Sequence, residues 1–134
     1  MKKVILLFVV ICSIATAATT KSVSKYASND DKHKACIDAC NACIASCKKV
    51  EAMCTKEKNA KMADCEKLCK ECVTACTEAV KLMKSNDANC KTKCLECAKI
   101  CEKCATECDK FDMPDCKKCA TDCRKAAENC NSMK

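Results

Sequence analysis

Apolar and charged positions follow one another along residues 32–131 with the period of an α-helix, and cysteine is the most frequent residue at the apolar positions. The cysteines recur in steps of four and then three residues, which places their side chains along one face of a helix. The longest such run is Cys90, Cys94, Cys97, Cys101, Cys104 and Cys108, and the same step reaches Phe111. The pattern predicts helices whose inner faces consist largely of thiols.

Four such helices are predicted, joined by short turns. Lys58 and Lys61 would fall on the thiol face of an unbroken helix, so a turn is expected at residues 56–59. The predicted spans are residues 32–56, residues 60–83, a third helix after the turn at 85–87, and a fourth that begins at 112–114. The candidate N-terminal caps are Asn29, Asp30 and Asp31 for the first helix and Asp112, before Pro114, for the fourth. Short connections favour an all-α fold, an antiparallel four-helix bundle with a cysteine-lined core.

Composition supports this prediction, because the chain has no glycine and a single proline, whereas tight hairpins commonly need glycine. Large aliphatic side chains are few after residue 17, so cysteine must fill the interior. A protonated thiol packs as a small apolar group, which allows a metal-free bundle to fold. We call the nineteen cysteines after residue 17 the thiol core: Cys36, Cys40, Cys43, Cys47, Cys54, Cys65, Cys69, Cys72, Cys76, Cys90, Cys94, Cys97, Cys101, Cys104, Cys108, Cys116, Cys119, Cys123 and Cys130.

The chemistry of a dense thiol core favours a soft monovalent metal ion. Ionised thiols would place many negative charges in a low-dielectric interior, which needs compensating cations. One Cu(I) for each thiolate leaves the interior neutral, whereas Zn(II) among four thiolates leaves two excess negative charges. Eight C-x-x-x-C pairs place sulfurs one helical turn apart, where one ion can bridge them. The sequence therefore predicts that all nineteen cysteines are metal ligands and that several Cu(I) ions bind per chain.

Two alternatives remain open at this point. The first is a zinc-binding thiol sponge with the same cysteines as ligands. The second is a secreted helical interaction protein whose cysteines form disulfides between helices and bind no metal. Enzymatic activity is not expected, since His33 is the only histidine and no catalytic constellation is visible. Nucleic-acid binding is not expected either, because the net charge of +7 comes from lysines mixed with acidic residues and aromatic residues make up 2% of the chain.

The N-terminal residues predict export. Lys2 and Lys3 precede an apolar run, and small residues near Ala17 suit cleavage, so residues 1–17 are interpreted as a signal peptide. Cys12 lies in this segment and is removed with it. Residues 18–31 are polar and are expected to form a flexible leader to the bundle at residues 32–134. The mature protein is expected to be periplasmic or secreted and without a membrane anchor.

The repeated pattern C-x-x-x-C-x-x-C-x-x-x-C begins at Cys36, Cys65 and Cys90. Together with the signal peptide, it resembles the exported, cysteine-rich copper storage proteins. The resemblance covers the whole mature domain and implies a four-helix bundle whose interior binds many Cu(I) ions through thiolates, many of them in C-x-x-x-C pairs. It also implies self-association. Val50, Ala79 and Ala126 interrupt the thiol stripes, so the expected capacity is below that of a fully lined bundle.

The antiparallel arrangement predicts which residues meet at each end of the bundle. The His33 end is expected to gather His33, Cys36, Met83, Cys90, Cys130 and Met133, and the Met62 end to gather Met53, Cys54, Met62, Cys65, Cys108, Met113 and Cys116. Imidazole and thioether groups bind Cu(I) without the charge of a thiolate. The candidate ligands for copper uptake are therefore His33, Met83, Met133, Met62 and Met113, and the His33 end is favoured. The residues that can pack between helices or between subunits are Ile37, Ile44, Val73 and Val80.

Overall fold

The computed structural model describes residues 29–133 and contains four α-helices in that part of the chain. They are α1 (Asn29–Glu57), α2 (Ala63–Lys84), α3 (Cys90–Cys108) and α4 (Pro114–Asn131), with a short 3-10 helix at Ala60–Met62 before α2. The predicted signal peptide and residues 18–28 of the predicted leader lie outside the described residues. The prediction of four helices is confirmed, and no strand occurs among the described residues.

The helices form a closed square in which each one packs against two neighbours. α1 and α3 each contact both α2 and α4. Helices α2 and α3 are antiparallel, because the residue numbers of contacting cysteines rise along α2 and fall along α3. The contacting pairs are Cys65–Cys108, Cys69–Cys104 and Cys76–Cys97. The same holds between α1 and α4 for the pairs Cys36–Cys130, Cys43–Cys123 and Cys47–Cys119. The antiparallel four-helix bundle is therefore confirmed.

The turn after α1 lies within residues 56–59, as predicted from Lys58 and Lys61, which would lie on the thiol face of an unbroken helix. Lys58 has a φ of 46°, in the left-handed region, and its N–H donates to the carbonyl of Cys54 at 3.0 Å. This arrangement is the αL motif that ends many helices, here without glycine. Asn59 then caps the 3-10 helix, since its side chain accepts a hydrogen bond from the N–H of Lys61. The lysine therefore ends α1 instead of entering the thiol face.

The turn after α2 uses a second left-handed residue, Asn86, with a φ of 50°. The N–H of Asn86 donates to the carbonyl of Met83 at 3.3 Å, and that of Asp87 donates to the carbonyl of Leu82 at 3.0 Å. These two bonds make a Schellman motif. Asparagine is one of the few residues that adopts this conformation readily, because its side chain is short and polar. The turn predicted at residues 85–87 is thus confirmed.

Three details of the predicted helix boundaries are wrong. Helix α1 begins at Asn29, three residues before the predicted start, so the acidic residues Asp30 and Asp31 lie in its first turn, where the helix dipole favours them. Met113, not Asp112, is the N-terminal cap of α4, because a residue before proline is held in the extended region. Helix α3 ends before Phe111, which packs half-buried against the core from the following turn.

The interior of the bundle consists mainly of cysteine. All nineteen thiols of the thiol core are buried, together with the three residues that interrupt the stripes: Val50, Ala79 and Ala126. Ser46 is the only buried polar residue in the described part of the chain, and its hydroxyl donates to the carboxylate of Asp122 across α1 and α4. No helix within residues 29–133 is both long and apolar enough to cross a membrane.

Candidate metal centre

The four thiol stripes meet along the axis of the bundle. Every cysteine that the sequence singled out as a ligand faces the interior, and all nineteen are free thiols. Each helix presents its cysteines because the four-and-three spacing follows the helical period. The thiols from four helices are thereby brought into one region from which water is excluded.

The shortest sulfur–sulfur contacts join different helices. The Sγ atoms of Cys36 and Cys130 lie 3.3 Å apart, and Cys43 lies 3.4 Å from both Cys72 and Cys123. Contacts within a C-x-x-x-C pair are longer, at 3.8 to 4.0 Å in four of the pairs: Cys43–Cys47, Cys90–Cys94, Cys97–Cys101 and Cys119–Cys123. Thiols on neighbouring helices therefore lie at least as close together as the two thiols of a C-x-x-x-C pair on one helix.

These contacts create groups of thiols that can hold an ion. Four groups contain four buried cysteines whose Sγ atoms all lie within 4.8 Å of one another: Cys43/Cys47/Cys72/Cys123, Cys43/Cys72/Cys76/Cys101, Cys47/Cys104/Cys119/Cys123 and Cys69/Cys104/Cys108/Cys119. Metal–sulfur bonds of about 2.3 Å in a tetrahedral site place the sulfurs about 3.8 Å apart. The spacing of the thiols thus already approximates that of a thiolate site.

Several cysteines belong to more than one of these groups. Six cysteines are each in two of the four groups: Cys43, Cys47, Cys72, Cys104, Cys119 and Cys123. An ion in one group would share its ligands with an ion in the next, so the groups form a connected series instead of separate sites. This sharing reduces the number of thiolates needed for each ion, which favours a monovalent ion on grounds of charge.

Three metal-free thiols near the two ends of the series, Cys54, Cys116 and Cys90, are neutral because burial disfavours their ionised form. Burial raises the pKa of Cys54 to about 11 and that of Cys116 to about 12 at the Met62 end. Burial likewise raises the pKa of Cys90 to about 11 at the His33 end. No lysine, arginine or histidine is buried among the described residues to offset a thiolate charge. Metal ions must therefore replace the thiol protons when they bind.

The His33 end is open to solvent through a cavity of about 310 Å³. His33, Cys90 and Met133 line it, together with polar residues of the α2–α3 turn. The predicted meeting of these three residues is confirmed, while Met83 lies deeper, with 2% of its surface exposed. At the opposite end Met62 is fully buried, and Met53 and Met113 are half-buried against the core. At the His33 end, two of the candidate uptake ligands, His33 and Met133, therefore line a solvent cavity.

The fold and this site define a class of protein, a helical bundle with a metal-binding thiol interior. A model of the copper storage protein family matches residues 29–134. The Cu(I)-bound copper storage protein BsCsp3 is 39% identical, with a TM-score of 0.73 over 76% of this chain and 97% of that one. The copper-free form of copper storage protein 3 from Bacillus subtilis has a TM-score of 0.70 at 39% identity, over 75% of this chain and 96% of that one.

A third solved structure, the Nmul_A1745 protein from Nitrosospira multiformis, is 32% identical with a TM-score of 0.71, over 78% of this chain and 95% of that one. No curated protein sequence matches this chain significantly. The chain belongs to the copper storage protein family. Its function is accordingly to bind and store several Cu(I) ions, and the copper prediction is confirmed at this level.

Proposed function

We propose that this protein stores Cu(I) as a connected series of thiolate-bridged ions along the bundle axis, with the whole thiol core as ligands. The observation that carries the proposal is the overlap of the four four-cysteine groups, in which six cysteines belong to two groups each. An ion that enters at one group can pass to the next by exchanging one shared ligand at a time. No histidine, aspartate or glutamate is buried among residues 29–133, so we propose a role in storage without enzymatic activity.

The electrostatics of the interior support Cu(I) over Zn(II) as the stored ion. Replacement of one thiol proton by one Cu(I) leaves the local charge unchanged, whereas one Zn(II) that displaces four protons leaves two negative charges behind. Ser46 is the only buried polar residue in the described chain, and it cannot neutralise such charges. A series of adjacent zinc sites would therefore accumulate unbalanced charge in a low-dielectric interior.

We further propose that copper enters at the His33 end. The supporting observation is the cavity that brings His33, Met133 and Cys90 together beside the outermost thiols. Cys90 lies 4.0 Å from Cys94, which belongs with Cys36 and Cys130 to a group of three thiols. Copper captured by the imidazole or thioether can thus move inward by ligand exchange. Met62, Met83 and Met113 are then assigned to packing.

Export and self-association complete the proposal. The apolar run and cleavage-site residues in positions 1–17 support secretion across a membrane, with the leader and bundle as the mature protein. Self-association is supported by Ile37, Ile44 and Val73, which are half-buried on the outside of the core. Val80 is buried and packs within the bundle. Sedimentation of the mature protein tests the second point, and the N-terminal residue of the exported protein tests the first.

The storage proposal is tested by titration of reduced protein with Cu(I) or with Zn(II) in the absence of oxygen, counting bound ions, remaining free thiols and released protons. We expect more than about ten Cu(I) per chain and between about one and two protons released per Cu(I), because thiolates are shared. Zn(II) should bind in smaller number and release more protons per ion. Binding of only a few Cu(I), with most thiols still free, would contradict the proposal.

A further inference from the structure

One pair of thiols stands apart from the rest of the core by its geometry and position. The Sγ atoms of Cys36 and Cys130 are 3.3 Å apart, the shortest sulfur–sulfur contact found among the described residues. Cys36 lies about two turns into α1 and Cys130 in the last turn of α4, so the contact joins these two helices near the His33 end. A disulfide needs the sulfurs about 2.05 Å apart, which small side-chain movements at helix ends can provide.

The same pair lies close to the solvent cavity at the His33 end. His33 and Met133, which line this cavity, are each three residues from the paired cysteines, one helical turn further out. The other close pairs, Cys43–Cys72 and Cys43–Cys123, lie further along the bundle, midway between its ends. Cys36 and Cys130 are both fully buried and lie behind the wall of this cavity, in which Cys90 is the lining thiol. A small uncharged oxidant such as hydrogen peroxide can enter the cavity, and Cys36–Cys130 is the close pair of thiols nearest to it.

We propose that Cys36 and Cys130 form a reversible disulfide when the copper-free protein meets hydrogen peroxide, and that bound copper prevents it. Peroxide oxidises one thiol to a sulfenic acid and is reduced to water; the second thiol then attacks that sulfur, forming the S–S bond and releasing a second water. Two thiols and one peroxide thus give one disulfide and two waters. A dithiol reductant reverses the reaction by thiol–disulfide exchange.

The disulfide would have two consequences for the empty protein. It removes two of the three thiols in the group Cys36/Cys94/Cys130, so the outermost copper-binding group is lost. It also ties the start of α1 to the end of α4, beside the cavity through which copper is proposed to enter. Oxidation would therefore close the His33 end of an empty bundle, whereas a copper-filled bundle, whose thiolates are occupied, would stay reduced.

The pair can be identified in the unaltered full chain. Reduced, copper-free protein is treated with one equivalent of hydrogen peroxide, alkylated to trap the remaining thiols, digested and analysed by mass spectrometry. The expected result is that the first disulfide to appear is Cys36–Cys130, ahead of Cys40–Cys130 and of any bond to Cys43. Disulfides first formed elsewhere, disulfides scattered over the core, or oxidation that stops at single cysteines would each overturn the proposal.

Two variants and a parallel experiment on copper-loaded protein, called the copper arm, complete this test. Cys130→Ser should abolish the fast phase of thiol loss, while the control Cys54→Ser, at the opposite end, should retain it; equal rates in the two variants would contradict the proposal. Circular dichroism checks that each variant folds, and Cys36→Ser replaces Cys130→Ser if it does not. Only the copper arm rests on the storage function: loaded protein should give no Cys36–Cys130 disulfide, and formation at the same rate would refute protection. A failure to load copper would refute storage but leave the mapping intact.

Discussion

At the scale of single residues, the protein depends on thiols that pack in the core when metal-free and become thiolates when metal binds. Burial holds the pKa of Cys54, Cys90 and Cys116 above the ordinary value of 9.0. The neutral form packs as an apolar core residue. The same side chain can therefore maintain the empty fold and serve as a ligand, with a proton exchanged for a metal ion.

The raised pKa values predict how the stability of the metal-free protein depends on pH. A thiol with a higher pKa in the folded state than in the unfolded chain binds its proton more tightly when folded, so it stabilises the fold fully below about pH 9. This contribution is lost as the pH rises through 11 to 12. Thermal unfolding under reducing conditions should show a fall in Tm of at least about 4 °C between pH 8.5 and 11. A Tm that is constant or rises would contradict the assignment.

The residues that interrupt the thiol stripes predict a gain in capacity. Ala79 is fully buried at a position where the stripe of α2 lacks a thiol. Ala79→Cys should therefore add a ligand inside the core and raise the number of Cu(I) ions bound by about one. Ala45→Cys, on the exposed face of α1, is the matched control and should leave the capacity for tightly held copper unchanged. The same gain in both variants would mean that burial in the core does not determine binding.

At the scale of helices, the chain ends α1 and α2 without glycine by placing Lys58 and Asn86 in the left-handed region. These residues differ in cost, since a lysine in this conformation loses about 1–2 kcal/mol relative to its preferred one, whereas asparagine loses less. The two motifs set the lengths of the connections. The connections in turn set which cysteines of neighbouring helices face each other.

Replacement of the left-handed lysine should stabilise the bundle. Lys58→Gly removes the contact of Cβ with the backbone and should raise the free energy of unfolding by about 1 kcal/mol, after the greater flexibility of glycine in the unfolded chain is subtracted. Asn86→Gly should give a smaller gain, and Lys56→Gly, inside the last turn of α1, should lower stability by about 1 kcal/mol. Chemical denaturation of the reduced, copper-free variants measures all three. A loss of stability in Lys58→Gly would show that the lysine side chain contributes more than its conformation costs.

The sequence predicted the helices well because the period of the α-helix sets both the spacing of the cysteines and the set of side chains that are buried. It also predicted the break at residues 56–59, since Lys58 would otherwise have been buried. The cap at Asp112 was wrong because the effect of Pro114 on Met113 outweighed the capping preference of aspartate. The sequence predicted that Cys36 and Cys130 lie at the same end of the bundle but did not predict their contact at 3.3 Å, because contacts between helices depend on register, and register depends on turn geometry.

At the scale of the whole molecule, the two ends of the bundle differ although the interior is similar throughout. The His33 end opens into a cavity lined by an imidazole, a thiol and a thioether. At the Met62 end the 3-10 helix places a fully buried methionine beside the last thiols. This difference is the basis for the proposal that copper enters at the His33 end.

The difference between the ends predicts separate effects on rate and capacity. The double variant His33→Ala/Met133→Leu should slow transfer of Cu(I) from a chelator to the empty protein, while the final number of bound ions changes by no more than about one, since the thiol core is intact. Met62→Leu, a volume-conserving change at the other end, should alter neither quantity. Stopped-flow measurement of chelator absorbance gives both values. A slower transfer in Met62→Leu alone would place the entrance at the opposite end.

The central claim is that shared thiolates hold a connected series of Cu(I) ions, and X-ray absorption at the copper edge of fully loaded protein tests it most directly. We expect monovalent copper with sulfur as nearly the only neighbouring element, and a second distance from copper to copper, because adjacent groups share cysteines. Nitrogen or oxygen as the main neighbours, or sulfur-bound copper without any copper nearby, would contradict the connected series.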